Sequence, residues 1–112
     1  MNRITRNSIA LAIAPHTGHG RTRRDYSEIL NIVRSFGFIV TDKVSDEYTP
    51  DMSSKHNSYK LEDMRTEQEI DCLLVIDEYF GLPKTETKWV IGLGFVKVEC
   101  RIDTYEINAY VS

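Results

Sequence analysis

The residues best equipped for chemistry crowd between Pro15 and Arg24, where His16, Thr17, Gly18, His19, Gly20, Arg21 and Arg23 follow one another closely. Two glycines permit backbone turns that residues with a Cβ resist. Imidazole and guanidinium groups supply donors and positive charge, and the amides of a helix start point outward. Together these make a cradle for an anion, a phosphate above all. The segment is neither a P-loop nor a dinucleotide fingerprint, because Gly18-His19-Gly20 lacks the third glycine and any phosphate lysine. The plain alternative is a solvated basic turn.

Other chemistry has thinner support. His16 and His19 lie three apart, but no clear third ligand accompanies them, so neither a metal nor another cofactor is expected. Ser/His/Asp catalysis has no nucleophile-elbow sequence behind it. Asp77 and Glu78 stand at the end of an apolar run, where carboxylates could meet a ligand. Trp89 suits a core, an interface or a base-stacking platform.

Elements must position these groups. Ser8 to Ala14 is a short apolar run that reads as a strand buried on both faces, ended by Pro15. From Arg23 the period changes. Tyr26, Ile29, Leu30, Val33 and Phe36 form a helical stripe that Thr22 or Asp25 can cap and Gly37 can end. Phe38 to Thr41 follows as a strand, completing a strand, helix, strand unit of the length of a right-handed crossover. After a polar connection from Ser45 to Asn57 comes a helical stretch from Ser58 to Glu69, then a buried strand from Asp71 to Ile76 and a loop from Asp77 to Lys84. The C-terminal part has two readings. Alternation in Val96 to Ile102 and Tyr105 to Val111 suits a hairpin turning at Asp103-Thr104, whereas a helix over Thr85 to Val98 would leave one final strand. The expected fold is α/β, a small, mostly parallel sheet of four or five strands flanked by helices. Ligands of such sheets bind beyond the carboxyl ends of the strands.

Composition narrows the partners. The 112 residues suit one domain, and a net charge of −3 argues against a dedicated nucleic-acid binder. Residues 1–24 nonetheless carry Arg3, Arg6, Arg21, Arg23 and Arg24 and no acid, a local positive region. Cys72 reads as a buried small hydrophobe, and it forms no disulfide framework with Cys100. No apolar stretch is long enough to span a bilayer, and no leader pattern is visible, so a cytoplasmic protein without a membrane partner is expected.

The stretch from Tyr26 to Val44 resembles the first helix and second strand of the nucleoside 2-deoxyribosyltransferase superfamily, most closely its 2′-deoxynucleoside 5′-phosphate N-hydrolase branch. The likeness extends over about residues 8–95 and includes Glu62-Asp63 followed by the Asp71-led strand. It implies a Rossmann-like (flavodoxin-like) domain, a nucleotide-like ligand and a homodimer, with Asp63 at the position of an active-site aspartate. The family breaks N-glycosidic bonds with a glutamate in a motif ending Glu, aliphatic, Gly. Here the corresponding residues are Val90-Ile91-Gly92, and the carboxylate is missing. Glu86, four residues earlier, is the nearest substitute.

An oxocarbenium-like transition state needs an adjacent carboxylate, so the resemblance favours a binder that holds a nucleotide without cutting it. A virus-encoded protein that soaks up a signalling nucleotide would have this character. An N-glycosidase with Glu86 or Asp77 in the missing role and Asp63 supporting, and a structural or protein-binding domain that kept only the fold, are the alternatives. The ligand-binding set is His16, Thr17, Gly18, His19, Gly20, Arg21, Arg23, Asp77 and Trp89.

Overall fold

The structure, a computed structural model, describes residues 1–66, 68–80, 84–100 and 105–112, with the backbone alone at 42, 68, 69, 71, 84–86 and 98–100. In order along the chain are α1 (Arg3–Ile13), a 3-10 turn (Ala14–His16), β1 (Gly18–Arg21), α2 (Arg23–Ser35), β2 (Phe38–Tyr48), β3 (Ser54–Asp63), β4 (Gln68–Tyr79), β5 (Lys84–Val90), β6 (Gly94–Cys100) and β7 (Tyr105–Val111). Five strands form one sheet in the order β1-β7-β4-β3-β2, and β5 and β6 pair only with each other. Every pairing is antiparallel. The parallel, doubly covered α/β sheet expected from the sequence is therefore not the fold.

The correction begins at the first element. Ser8 to Ile13 belongs to α1 and Ala14 opens the 3-10 turn after it, so this run is not a buried strand. Asn2 caps the helix by accepting the Thr5 N–H at 2.8 Å, and Ala10, Ala12 and Ala14 are the best helix formers available. Burial settles the period: Ile9 and Ile13, four apart, are enclosed, whereas Leu11 between them is exposed. Without that strand there is no crossover unit. β1 and β2, which flank α2 in the chain, lie at opposite edges of the sheet.

The helix at residues 23–35 is as expected. Asp25 accepts the Thr22 N–H at 3.0 Å, Ile29 and Val33 are buried, and Gly37 takes a left-handed φ of 92° just past the end. Two further expectations fail. Ser58 to Glu69 contains no helix among the described residues, and the polar connection before it is mostly strand. β2 runs on to Tyr48, turns at Thr49–Ser53, and returns as β3, with Tyr48 opposite Lys55. Asp51 fastens this turn by accepting from the Thr49 hydroxyl and from the Ser53 N–H and hydroxyl at 2.7–3.1 Å, which lowers its pKa to about 2.

Asp71 to Ile76 is a strand, as expected, within β4. The C-terminal alternation also marks strands, but β6 pairs with β5, and β7 inserts between β4 and β1. A helix over Thr85 to Val98 is excluded by that pairing. The proposed turn at Asp103-Thr104 lies outside the described residues.

Alternation directs one face of the sheet toward the helices. Ile9 and Ile13 of α1 and Ile29 and Val33 of α2 meet Val40, Leu61, Leu74, Ile76 and Ile107 in one buried cluster. The molecule is thus two layers, helices on one face of an antiparallel sheet. The β5–β6 hairpin lies outside that core cluster, and the chain's long axis reaches 64 Å.

Candidate functional site

Beside the first turn of α2, the helix face of the sheet opens into a cleft of about 300 Å³. This is at the small end of the range for small-molecule pockets, about 300–1,000 Å³. Arg23 and Tyr26 come from α2, Lys43 and Tyr48 from β2, Lys55 from β3, Glu78 from β4, Phe80 from just beyond it, and Tyr105 from β7.

Each wall has a local cause. Glu78 follows Leu74 and Ile76 on the helix-facing side of β4, so the apolar stripe ends in a carboxylate where the core gives way to the cleft. Asn57, fully buried on β3, donates from Nδ2 to the Ile76 carbonyl at 3.0 Å and to Glu78 Oε2 at 2.9 Å. That bond orients the acid. Phe80 is held in place by its N–H, which donates to the Ser53 carbonyl at 2.8 Å. Its ring lies between Tyr48, 6.3 Å away and roughly parallel, and Tyr105, 5.7 Å away and tilted.

The cations sit against this aromatic wall. Lys55 Nζ lies 4.9 Å from the Tyr48 ring centre and 2.9 Å from Asp46, and Lys43 Nζ lies 6.0 Å from the Tyr26 ring centre and 3.6 Å from Asp46. The bond to Asp46 raises the Lys55 pKa, so its ammonium is charged at neutral pH. The Asp46 end of both pairs is open to solvent, which screens the attraction. The lysines are held in position without being committed.

Three phenols line or underlie the cleft. The Tyr26 and Tyr59 hydroxyls are 2.5 Å apart. Burial, then their mutual hydrogen bond, drives the Tyr26 pKa far upward, and burial raises that of Tyr59 as well. Burial and the neighbouring Glu78 charge push Tyr105 up to about 12. All three are neutral donors at physiological pH. Tyr105 Oη and Asn57 Oδ1 are buried without a hydrogen-bond partner among the described residues. A buried polar atom in that state has lost water without replacement.

The expected site residues are mostly elsewhere. Of the basic segment, only Arg23 lines the cleft. Three of its other residues are engaged within the protein: His16 Nδ1 meets Asp25 at 3.0 Å, Arg21 Nη1 donates to the Pro15 carbonyl at 2.8 Å, and the Thr17 hydroxyl donates to the Ala14 carbonyl at 2.8 Å. Gly18 and Gly20 take positive φ in a short edge strand, and His19 is exposed, 3.8 Å from Glu106. The His16 contact, followed by the Thr22 amide, lowers the Asp25 pKa.

Asp63 is not on a helix. It ends β3, where its carboxylate accepts the Arg65 N–H at 2.9 Å and so stabilises the next turn. It stands eight residues along β3 from Lys55, roughly 26 Å at strand spacing. Asp77 alternates with Glu78 and faces away from the helices, paired with His56 at 2.6 Å. Glu86 lies in β5 opposite Val98, with its side chain outside the described residues; Trp89 and Val90 are in the same hairpin. Asp63 thus ends β3 beside Gln68 of β4, whereas Glu86 and Val90 belong to β5.

Glu78 was recognisable as a strand-end acid. Tyr48, Lys55 and Tyr105 were not, although Thr49-Pro50-Asp51 is a turn signal, and reading it as one would have exposed the β2–β3 hairpin.

No family model, no curated protein and no solved structure matches this chain. Among the described residues no helix is long and apolar enough to cross a membrane, and no group of three or more His, Cys, Asp or Glu side chains is placed to hold a metal ion.

Proposed function

We propose that this protein binds a nucleotide or nucleotide-derived small molecule in the cleft between α2 and the sheet, as a holder of the ligand and not as an N-glycosidase. The observation that carries this reading is the convergence of Arg23, Lys43 and Lys55 with the Tyr48, Phe80 and Tyr105 rings around Glu78. Cations outnumber acids there even when Asp46 is counted, which suits a phosphate. Flat aromatic groups suit a base, stacked or edge-on. Glu78, oriented by Asn57, accepts hydrogen bonds from an amino group or a sugar hydroxyl, and Tyr105 Oη has a donor to offer. The cleft of about 300 Å³ matches a compact ligand, not a polymer.

The basic turn at residues 15–24 plays no part in this beyond Arg23. The phosphate end of the site is formed by Lys43 and Lys55 instead.

A panel of nucleosides and nucleoside mono- and diphosphates, read by thermal shift and by chromatography for released base, tests the proposal. A phosphate-bearing member should stabilise the protein by about 2.7 kcal/mol when present at 100 times its Kd. Its parent nucleoside should do less, and no base should appear. Base release that disappears in Glu78→Gln would make the protein an enzyme. No stabilisation by any member would leave the cleft without this role.

A further inference from the structure

We infer that the tip of the β5–β6 hairpin is a docking device for an anionic lipid surface. The hairpin turns at Val90–Gly94, with the Leu93 N–H donating to the Val90 carbonyl at 3.1 Å and left-handed φ values of 86° at Gly92 and 74° at Gly94. Around that turn, Ile91 is 92% exposed, Phe95 76%, Leu93 73% and Trp89 66%. Nothing in the buried core requires these residues to be apolar. In so small a protein an exposed apolar group of this kind marks a contact surface.

Three features select lipid as the occupant. The first is order with depth. Ile91 and Leu93 form the extreme tip, Trp89 and Phe95 stand directly opposite each other behind the Val90–Gly94 rung, Lys88 is on the next rung opposite Val96, and Lys97 is one rung further back opposite Thr87. Aliphatic, then aromatic, then cationic is the succession across a membrane interface, where Trp rings settle at the headgroups and lysines meet anionic lipid. Lys88 and Ile91 are three residues apart, roughly 10 Å along a strand. Interfacial elements bury about 5–10 Å into the headgroup and acyl boundary.

The second is two-sidedness. Trp89 and Phe95 share one face of the hairpin and are edge-on at 5.1 Å, whereas Val90 and Val96 belong to the other. A groove on a protein selects one face; a bilayer surrounds both. The third is charge. Residues 87–97 carry two lysines and no acid on a chain of net charge −3, although Glu86 and Glu99 follow immediately behind. This is surface docking, distinct from spanning.

Trp89 is the chain's single tryptophan, so its fluorescence reports on the tip alone. The experiment titrates the intact protein with phosphatidylcholine vesicles and with vesicles containing phosphatidylglycerol, reading Trp89 emission and cosedimentation. The expected result is a blue shift and sedimentation with the anionic vesicles, weakened by salt. The double substitution Ile91→Asp with Leu93→Asp should abolish both, with an unchanged far-UV spectrum. Lys88→Glu with Lys97→Glu should weaken binding to anionic vesicles at least tenfold, because each lysine near such a surface adds to the attraction. No shift with either vesicle would overturn the inference. So would a blue shift that grows with protein concentration in the absence of lipid, since the tip would then be covered by a second copy of the chain.

Discussion

The cleft and the hairpin are made of the same materials, aromatic rings and lysines on antiparallel strands, and are put to opposite use. In the cleft the rings stand against one another on a concave wall, Tyr48 to Phe80 to Tyr105, and the lysines rest on Asp46. On the hairpin, Trp89 and Phe95 touch only across one convex rung, and both are exposed. Composition therefore does not distinguish the two regions. What separates them is the layer behind. Helices α1 and α2 back the first, and the second lies outside their core. A concave, backed site orders a small ligand, whereas a projecting one suits a broad surface.

The largest expected difference between the regions is in stability. Ile76→Ala or Leu74→Ala removes a fully buried side chain from the cluster beneath the cleft and should cost about 2–5 kcal/mol in urea unfolding. Phe95→Ala should fall within about 0.5 kcal/mol of the wild type. Equal losses at the two places would mean that the hairpin packs on the sheet after all.

Asn57→Ala comes next. It removes the donor that orients Glu78 and leaves the Ile76 carbonyl one partner short, at a cost of about 1–3 kcal/mol. It should also weaken ligand binding, a loss that no hairpin substitution should reproduce.

Lys55→Ala should lower affinity for a phosphate-bearing ligand about tenfold, the equivalent of about 1.4 kcal/mol. Its stability should change by about 1 kcal/mol, because the Asp46 end of the pair is open to solvent. Arg21→Ala, in the basic turn, should leave affinity unchanged. If Arg21→Ala weakened binding more than Lys55→Ala, the assignment of the site would be reversed.

The smallest effect is in acid. The Asp25 pKa lies below its ordinary value of 3.8, owing first to His16 and then to the Thr22 amide. A carboxylate depressed on folding contributes stability above its unfolded pKa and loses it as pH falls through the folded one. Urea midpoints of the wild type should therefore decline below about pH 4, and Asp25→Asn should show a shallower decline. Parallel curves would remove Asp25 from the account.

Local signals were legible where burial and caps agree. The α2 stripe with Gly37 after it, the strand from Phe38 and the apolar β4 run are all readable from residue order. Three things were not. Ser8 to Ala14 is equally apolar as strand or helix, and only the exposure of Leu11 beside buried Ile9 and Ile13 decides it. In β3, Asn57, Tyr59 and Leu61 alternate with Ser58, Lys60 and Glu62, but the polar residues among them mask the period. Pairing is non-local, so β7 entering between β4 and β1 leaves no mark in nearby sequence. The site inherits that last difficulty. Its lining spans Arg23 to Tyr105, and only the antiparallel sheet brings these residues together. The basic turn, conspicuous in sequence, directs His16 and Arg21 onto its own neighbours, Asp25 and the Pro15 carbonyl.

The most direct test is a titration of the ¹⁵N-labelled protein with a nucleoside monophosphate, followed residue by residue. The account predicts shifts concentrated at Arg23, Tyr26, Lys43, Lys55, Glu78 and Tyr105, with His16 to Arg21 unmoved. Shifts centred on His16 to Arg21, or no saturable shifts with any nucleotide, would contradict it.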